Sequence, residues 1–334
     1  MIDTKNKINA LLFNSTQLSG CQAKLGGLEL KELLSSQSVG ASQFNPEDCS
    51  IINPPADSSI LVSTDMIPLP APNLFDAGYI AALHGMSDIY ASGGKPRWIL
   101  PIICLPKEMS IEHTHSIFDG VFSACNDEGA LILGGHTLYS SDALVGITAI
   151  GVSNDSQGFI KKGVKAGDII FMSKPLGVGA SIRGFQQGML NESKIQDAIS
   201  IMRKSNSIDA KAAMQIGVTA VTDITGFGLL GHLTEMLAND QGAVLFTSNI
   251  PCLASSLSVF QSLSFSQAEI NNQKYSSDRH NIIGDIKKNK LLLDPQTNGG
   301  IMLTTNTENR TSFLNAGFYE IGMITNESSI NLKD

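Results

Sequence analysis

The chain has 334 residues, 42% of them hydrophobic and 16% charged, enough apolar material to bury one or two sizeable cores, which excludes disorder and collagen-like repetition. Its 31 acidic against 23 basic residues leave a net charge of −8, and no lysine- or arginine-rich block is present to neutralise a phosphate backbone. A nucleic-acid partner is not expected, and an anionic ligand would need divalent cations or a few well-placed bases to hold it.

In chain order, residues 1–27 carry Gly20, Gly26 and Gly27 among polar side chains without a sustained period, and read as a mobile arm. Leu28–Leu34 has the spacing of a short helix. Ser59–Met66 is β-rich and carries Asp65 near its end, and Leu74–Ala91 is a long run of small and apolar residues begun by Asn73, a good helix cap, and closed by Gly93-Gly94. Strands are predicted at Trp98–Leu105, Ala130–Leu133 and Leu144–Val152, around a helix over Ile111–Asn126; this interleaving indicates an α/β or α+β layered fold. The polar, glycine-bearing stretch Ser153–Gly158 marks a boundary, so the expected division is an arm over 1–27, an amino-terminal domain over 28–155 and a carboxy-terminal α/β domain over 156–334. In the second half, Asp168–Ser173 and Ala220–Asp223 read as strands. Helices are expected near Val178–Gln187, Ser193–Lys204 and Ile208–Ile216, and from a glycine-rich turn to Leu237, with late strands at Gly300–Thr304 and Tyr319–Ile324. Gln261–Lys290 is polar and resists assignment.

Cys21, Cys49, Cys104, Cys125 and Cys252 are odd in number, widely spaced and without a C-x-x-C pair, which argues against a disulfide framework or a zinc ribbon and for a reducing, cytoplasmic setting. No apolar run approaches a bilayer-spanning length, and Ile8–Phe13 is too brief for a signal-peptide core, so no membrane partner is expected.

Three glycine motifs could cradle phosphate through backbone N–H groups. Gly226-Phe227-Gly228-Leu229-Leu230-Gly231 satisfies the dinucleotide fingerprint in letters, yet no Asp or Glu occurs between Asp240 and Glu269 to meet a ribose. A close-packed strand–helix turn, or a turn that sets Asp223 beside a phosphate, explains it better. Gly134-Gly135-His136-Thr137 and Gly299-Gly300, taken alone, are ordinary turn material. The carboxylates say more. Asp48, Asp65, Asp88 and Asp223 sit in or beside apolar elements, where acids need a partner. Capping or pairing could supply it, and Asp88, one turn from His84, could simply bond to that imidazole. Four together instead suit Mg²⁺ ions bridging a polyphosphate. Cys21, in a glycine-flanked polar arm, is no packing cysteine, and Lys24 three residues on favours its reactive thiolate.

The strings Gly20-Cys21-x-x-Lys24, Ser63-Thr64-Asp65, Ser87-Asp88-Ile89-Tyr90-Ala91-Ser92-Gly93-Gly94-Lys95-Pro96, Gly134-Gly135-His136-Thr137, Thr222-Asp223-Ile224-Thr225-Gly226-Phe227-Gly228 and Asp294-Pro295-Gln296-Thr297-Asn298-Gly299-Gly300 together resemble the selenophosphate synthetase, or selenide, water dikinase, family. The resemblance implies a two-domain aminoimidazole ribonucleotide synthetase-like fold, an amino-terminal domain that forms a shared β-barrel in a homodimer, and ATP in the cleft. It implies a reaction of ATP, selenide and water that gives selenophosphate, AMP and phosphate with Mg²⁺ and K⁺. It also implies Cys21 and Lys24 as catalytic residues, Asp48, Asp65, Asp88 and Asp223 as metal ligands, and Asn45, Pro46, Glu47, Asp65, Asp88, Gly135, His136 and Thr137 as nucleotide contacts. The family often has a second cysteine at Ala23, two aspartates where Glu47-Asp48 stands, and asparagine at His84. The alternatives are another ATP-dependent relative such as a thiamine-monophosphate kinase, which the Cys21/Lys24 arm disfavours, or an inactive ATP-binding regulator.

Overall fold

The structure is a computed structural model that describes residues 50–52, 58–106, 109–153, 158–287 and 289–334. The arm, the predicted Leu28–Leu34 helix, and Cys21, Lys24, Asn45, Pro46, Glu47 and Asp48 lie outside the described residues.

The first half is a mixed sheet of β1 (Ser50–Ile52), β2 (Ser59–Pro68), β3 (Lys95–Leu105), β4 (Leu131–Ile132), β5 (His136–Tyr139) and β6 (Leu144–Ser153). Its order is β1-β2-β6-β3-β4, with β5 also running parallel to β3. Helices α1 (Leu74–Ala91) and α2 (Ile111–Asp127) cover one face. Asn73 caps α1 as expected, its side chain accepting the Asp76 N–H at 3.0 Å. Apolar or small residues occur on every side of α1, and it is buried nearly all round because it is wedged between sheet, α2 and the second half of the chain. Gly78 permits this closeness, since a Cβ there would sit 2.1 Å from the Ile117 carbonyl oxygen on α2.

The second half holds β7 (Ile169–Met172), β8 (Ala220–Asp223), β9 (Gly242–Phe246), β10 (Asn281–Ile283), β11 (Ile301–Thr305), β12 (Tyr319–Thr325) and β13 (Ser329–Lys333), ordered β10-β13-β9-β12-β7-β11-β8. The helices in this half are α3 (Val178–Gln186), α4 (Gln196–Met202), α5 (Ser207–Ile216), α6 (Gly228–Met236), α7 (Ala254–Val259), α8 (Gln267–Arg279) and α9 (Arg310–Asn315). Both faces of this sheet are covered: Ile170 and Met172 pack into one core, Ile169 and Phe171 into another with Phe313. That is why β7 reads as an unbroken apolar run and why every residue of β11, its two threonines included, is buried, instead of alternating in and out.

Sequence reasoning located α1, α2 and most strands within a few residues. It missed the strands β1, β5, β9, β10 and β13 and the short helices α7 and α9, and extended the helix at Ser193–Lys204 over what is a 3-10 turn at Glu192–Lys194 followed by α4. The polar stretch after Gln261 contains α8, opened by a capping box between Ser266 and Glu269. The buried residues of α8 are Glu269, Asn272, Tyr275 and Ser276, so its inward face is polar and leaves no apolar period to read.

Candidate active site

His84, Ser87 and Asp88 occupy one face of α1, at i, i+3 and i+4. Each meets a different element. Asp88 accepts the hydroxyl proton of Ser63 from β2. Asp65, two residues further along β2 and on the same side of the strand, brings Oδ2 to 3.4 Å from His84 Nε2. The Ser87 hydroxyl donates at 2.5 Å to Oδ2 of Asp223, the last residue of β8 in the second half. One turn of helix thus gathers Asp65, Asp88 and Asp223 from three elements far apart in sequence. Ser63, His84 and Ser87 each lie on a different element from the acid they meet.

Burial rises steeply across this group: the Asp65 side chain is 17% exposed, Asp223 only 1%. Asp223 Oδ1 has no hydrogen-bond partner among the described residues. Asn206, which sequence reasoning did not single out, donates from Nδ2 to Ser87 Oγ at 2.8 Å and to the Gly299 carbonyl at 2.9 Å, while its own Oδ1 is likewise buried and unbonded. Buried acceptors without donors cost roughly 1–3 kcal/mol each, more for a charged oxygen, and a cation is what would offset that cost. No group of three or more His, Cys, Asp or Glu side chains among the described residues could hold a metal ion alone. Mg²⁺ does not need one, since it commonly takes one or two protein carboxylates and completes its shell with water and phosphate oxygens.

A second missed residue is Lys174, just past the fully buried β7. Its Nζ donates to the carbonyls of Lys204 at 2.6 Å and Asn298 at 3.0 Å. Burial lowers its ammonium to about 7, against the upward pull of Asp209 and Asp223. The signal for it in sequence was a lone lysine in Phe171-Met172-Ser173-Lys174-Pro175-Leu176, where an apolar strand has no other use for a charge.

The turn after β8 is built for packing. Gly228, at φ +68°, faces the Leu293 backbone, where a Cβ would come within 2.8 Å. Thr225 N–H donates at 3.0 Å to His232 Nε2, so the ring proton sits on Nδ1, which faces Glu235 at 3.5 Å. Asn272 Nδ2 ties the Gly226 carbonyl to that of Leu293. The dinucleotide reading of Gly226–Gly231 therefore gives way to a close-packed turn that anchors the end of β8, and with it Asp223. The Asp294–Gly300 segment is structural in a similar way: Gln296 Oε1 accepts the Gly177 and Val178 N–H groups, capping α3, whose own N-cap residue, Gly177, has no side chain to do so.

Gly135, His136 and Thr137 are exposed, where β5 runs beside β3 in the first sheet. Two open cavities, of about 760 and 680 Å³, lie elsewhere and include none of these residues. No helix among the described residues is long and apolar enough to cross a membrane.

Comparison with known proteins agrees with this architecture. Residues 46–153 match the family model "AIR synthase related protein, N-terminal domain" and residues 165–333 its C-terminal domain. A selenide, water dikinase of Desulfitobacterium hafniense is 31% identical over 301 residues, covering 87% of this chain and 88% of that protein. One from Clostridium botulinum is 28% identical over 312 residues, covering 91% and 90%. Among solved structures, thiamine monophosphate kinase from Aquifex aeolicus superposes with a TM-score of 0.65 at 20% identity, covering 91% of this chain and 94% of its own. The hydrogenase maturation protein HypE of E. coli superposes at 0.63 and 16%, covering 99% and 93%. At those identities the likeness carries the fold alone. The two matched domains and the near-full-length relatives establish that the chain belongs to the AIR synthase related proteins and, within them, to the selenide, water dikinase family.

Proposed function

We propose that this chain converts ATP, selenide and water into selenophosphate, AMP and orthophosphate. The observation that carries the reading is the gathering of Asp65, Asp88 and Asp223 around one turn of α1, with a buried Asp223 oxygen that has no hydrogen-bond partner among the described residues. In this reading Asp48, Asp65, Asp88 and Asp223 hold Mg²⁺, and Asp65, Asp88 and the segment Asn45, Pro46 and Glu47 also hold the nucleotide. Bound there, Mg²⁺ offsets triphosphate charge and stabilises the transferring phosphoryl group. K⁺ is a further expected cation. Cys21 handles selenium and Lys24 contacts phosphate, carried on the arm over 1–27 that closes on the cleft between domains divided near residue 155. A closed arm would deliver selenide as one nucleophile and exclude water as the other.

The exposed Gly135, His136 and Thr137 reach the nucleotide of a neighbouring subunit in a homodimer. What supports a dimer is the face of the first sheet opposite α1 and α2. There the register sets Val62 beside Ile150, Ile150 beside Trp98, and Met66 near Ile102, and leaves Met66, Leu131 and Leu133 exposed. Such a half-covered apolar face suits closure into a barrel with a second copy. Free thiols at Cys104 and Cys125, both buried, support a reducing, cytoplasmic setting.

Phosphorus NMR of a reaction containing ATP, Mg²⁺ and selenide tests the reading. AMP, orthophosphate and a selenium-bonded phosphorus resonance are expected. ADP as the final nucleotide would make the chain a simple kinase, and ATP binding without selenide-dependent turnover would make it a regulator.

A further inference from the structure

Asn298 is the one described residue other than glycine in the left-handed region, at φ +48°. That conformation costs a residue with a side chain on the order of 1 kcal/mol, so something must hold it. Two clamps do. Its Nδ2 donates to the carbonyls of Met202 at 2.6 Å and Lys204 at 2.9 Å, at the end of α4. Its own carbonyl accepts from Lys174 Nζ at 3.0 Å. Held this way, the Asn298 backbone N–H is aimed across to the first half of the molecule, at His84 Nδ1, 3.3 Å away. A donor at Nδ1 requires that nitrogen to be bare, so a neutral ring carries its proton on Nε2, and Nε2 faces Asp65 Oδ2 at 3.4 Å.

We propose that Asn298 is a positioning residue: acting through His84, it fixes both the ring orientation and the Nε2–H tautomer that aim the Asp65 carboxylate. The strut starts in the carboxy-terminal half and ends on β2, so Asp65 is correctly set only when the two halves are docked. This inference rests on the reading of Asp65 as a holder of Mg²⁺ and nucleotide. Groups that orient a ligand from behind typically change metal affinity by about 10- to 100-fold when removed.

The first test needs no substitution in the protein measured. Long-range proton–nitrogen NMR of the uniformly ¹⁵N-labelled full chain, with His84→Asn used to assign the signal, should show His84 with a bare Nδ1 and a protonated Nε2. The opposite tautomer overturns the proposal. The second test is Asn298→Ala, which removes the side-chain clamp and makes the left-handed backbone costlier. It should blur that tautomer signature and raise the half-saturating Mg²⁺·ATP concentration about 10- to 100-fold, with a smaller change in kcat. His84→Asn, whose amide also offers one acceptor and one donor, should bind Mg²⁺·ATP within about threefold of the parent chain, whereas His84→Leu should not. Wild-type affinity in His84→Leu overturns the inference. Asp65→Asn separates the two levels: unchanged Mg²⁺·ATP affinity there removes the role given to Asp65, and the positioning claim with it. Weakened affinity in Asp65→Asn alongside wild-type affinity in Asn298→Ala removes the positioning claim alone.

Discussion

A carboxylate that is 1% exposed, bonded through one oxygen to Ser87 and through the other to nothing among the described residues, weakens the fold it sits in. Asp223→Asn should therefore leave thermal stability unchanged or raise it, while Mg²⁺-dependent ATP cleavage falls on the order of 10²- to 10³-fold, the usual cost of removing a charge-stabilising group. Calorimetry beside a magnesium titration of activity checks this, and an unaltered magnesium dependence would make Asp223 a structural cap. At Cys21 the expectation runs differently: Cys21→Ser should abolish selenophosphate formation with nucleotide binding nearly intact, read by phosphorus NMR and isothermal titration, and turnover at the parent rate would remove the thiol from the chemistry. The acids were legible because carboxylates in apolar runs demand a reason. Ser87 and Asn206 were not, because a serine and an asparagine acquire meaning only from what stands opposite them.

Among the elements, α6 and the turn before it depend on a buried polar network. Glu235 lies 3.2 Å from Lys161 and accepts from Tyr275 at 2.9 Å. Burial would raise its carboxyl, but Lys161, His232 and Tyr275 outweigh burial and hold it down to about 2. A depressed acid stabilises the fold above its unfolded value near 4.3, and that contribution, on the order of 3 kcal/mol, is lost as pH falls from there through about 2. Acid unfolding followed by circular dichroism should show this loss in the parent chain and a flatter profile for Glu235→Gln; parallel profiles would refute the assignment. Helix α1 is equally exacting. Gly78→Ala would drive a methyl into the Ile117 carbonyl and should destabilise the fold by about 1–3 kcal/mol in denaturant unfolding, since close-packed helices cannot yield without moving backbone. Helix α1 was legible from its apolar length and its Asn73 cap. Helix α8 was not, because Glu269, Asn272 and Tyr275 spend its buried face on hydrogen bonds to Arg183, the Gly226 turn and Glu235.

For the molecule as a whole, the open face of the first sheet carries the prediction. Ile150→Glu places a charge in the middle of that face, between Val62 and Trp98, without entering the core under α1. It should yield a monomer in light scattering and lose the activity that needs a neighbour's Gly135, His136 and Thr137, while the circular dichroism spectrum stays that of the parent; an unaltered dimer mass would move the interface elsewhere. The layered α/β class, the positions of most elements and the standing of Asp65, Asp88 and Asp223 as acids in need of a partner follow from sequence by itself, because hydrophobic period, helix caps and the cost of burying charge are local or compositional properties. That His84 bonds Asn298, that Ser87 reaches Asp223, and that the glycine run after β8 is a packed turn were decided only by tertiary structure. Those pairs lie on separate elements, and only the docking of the two halves brings a donor on one to an acceptor on the other.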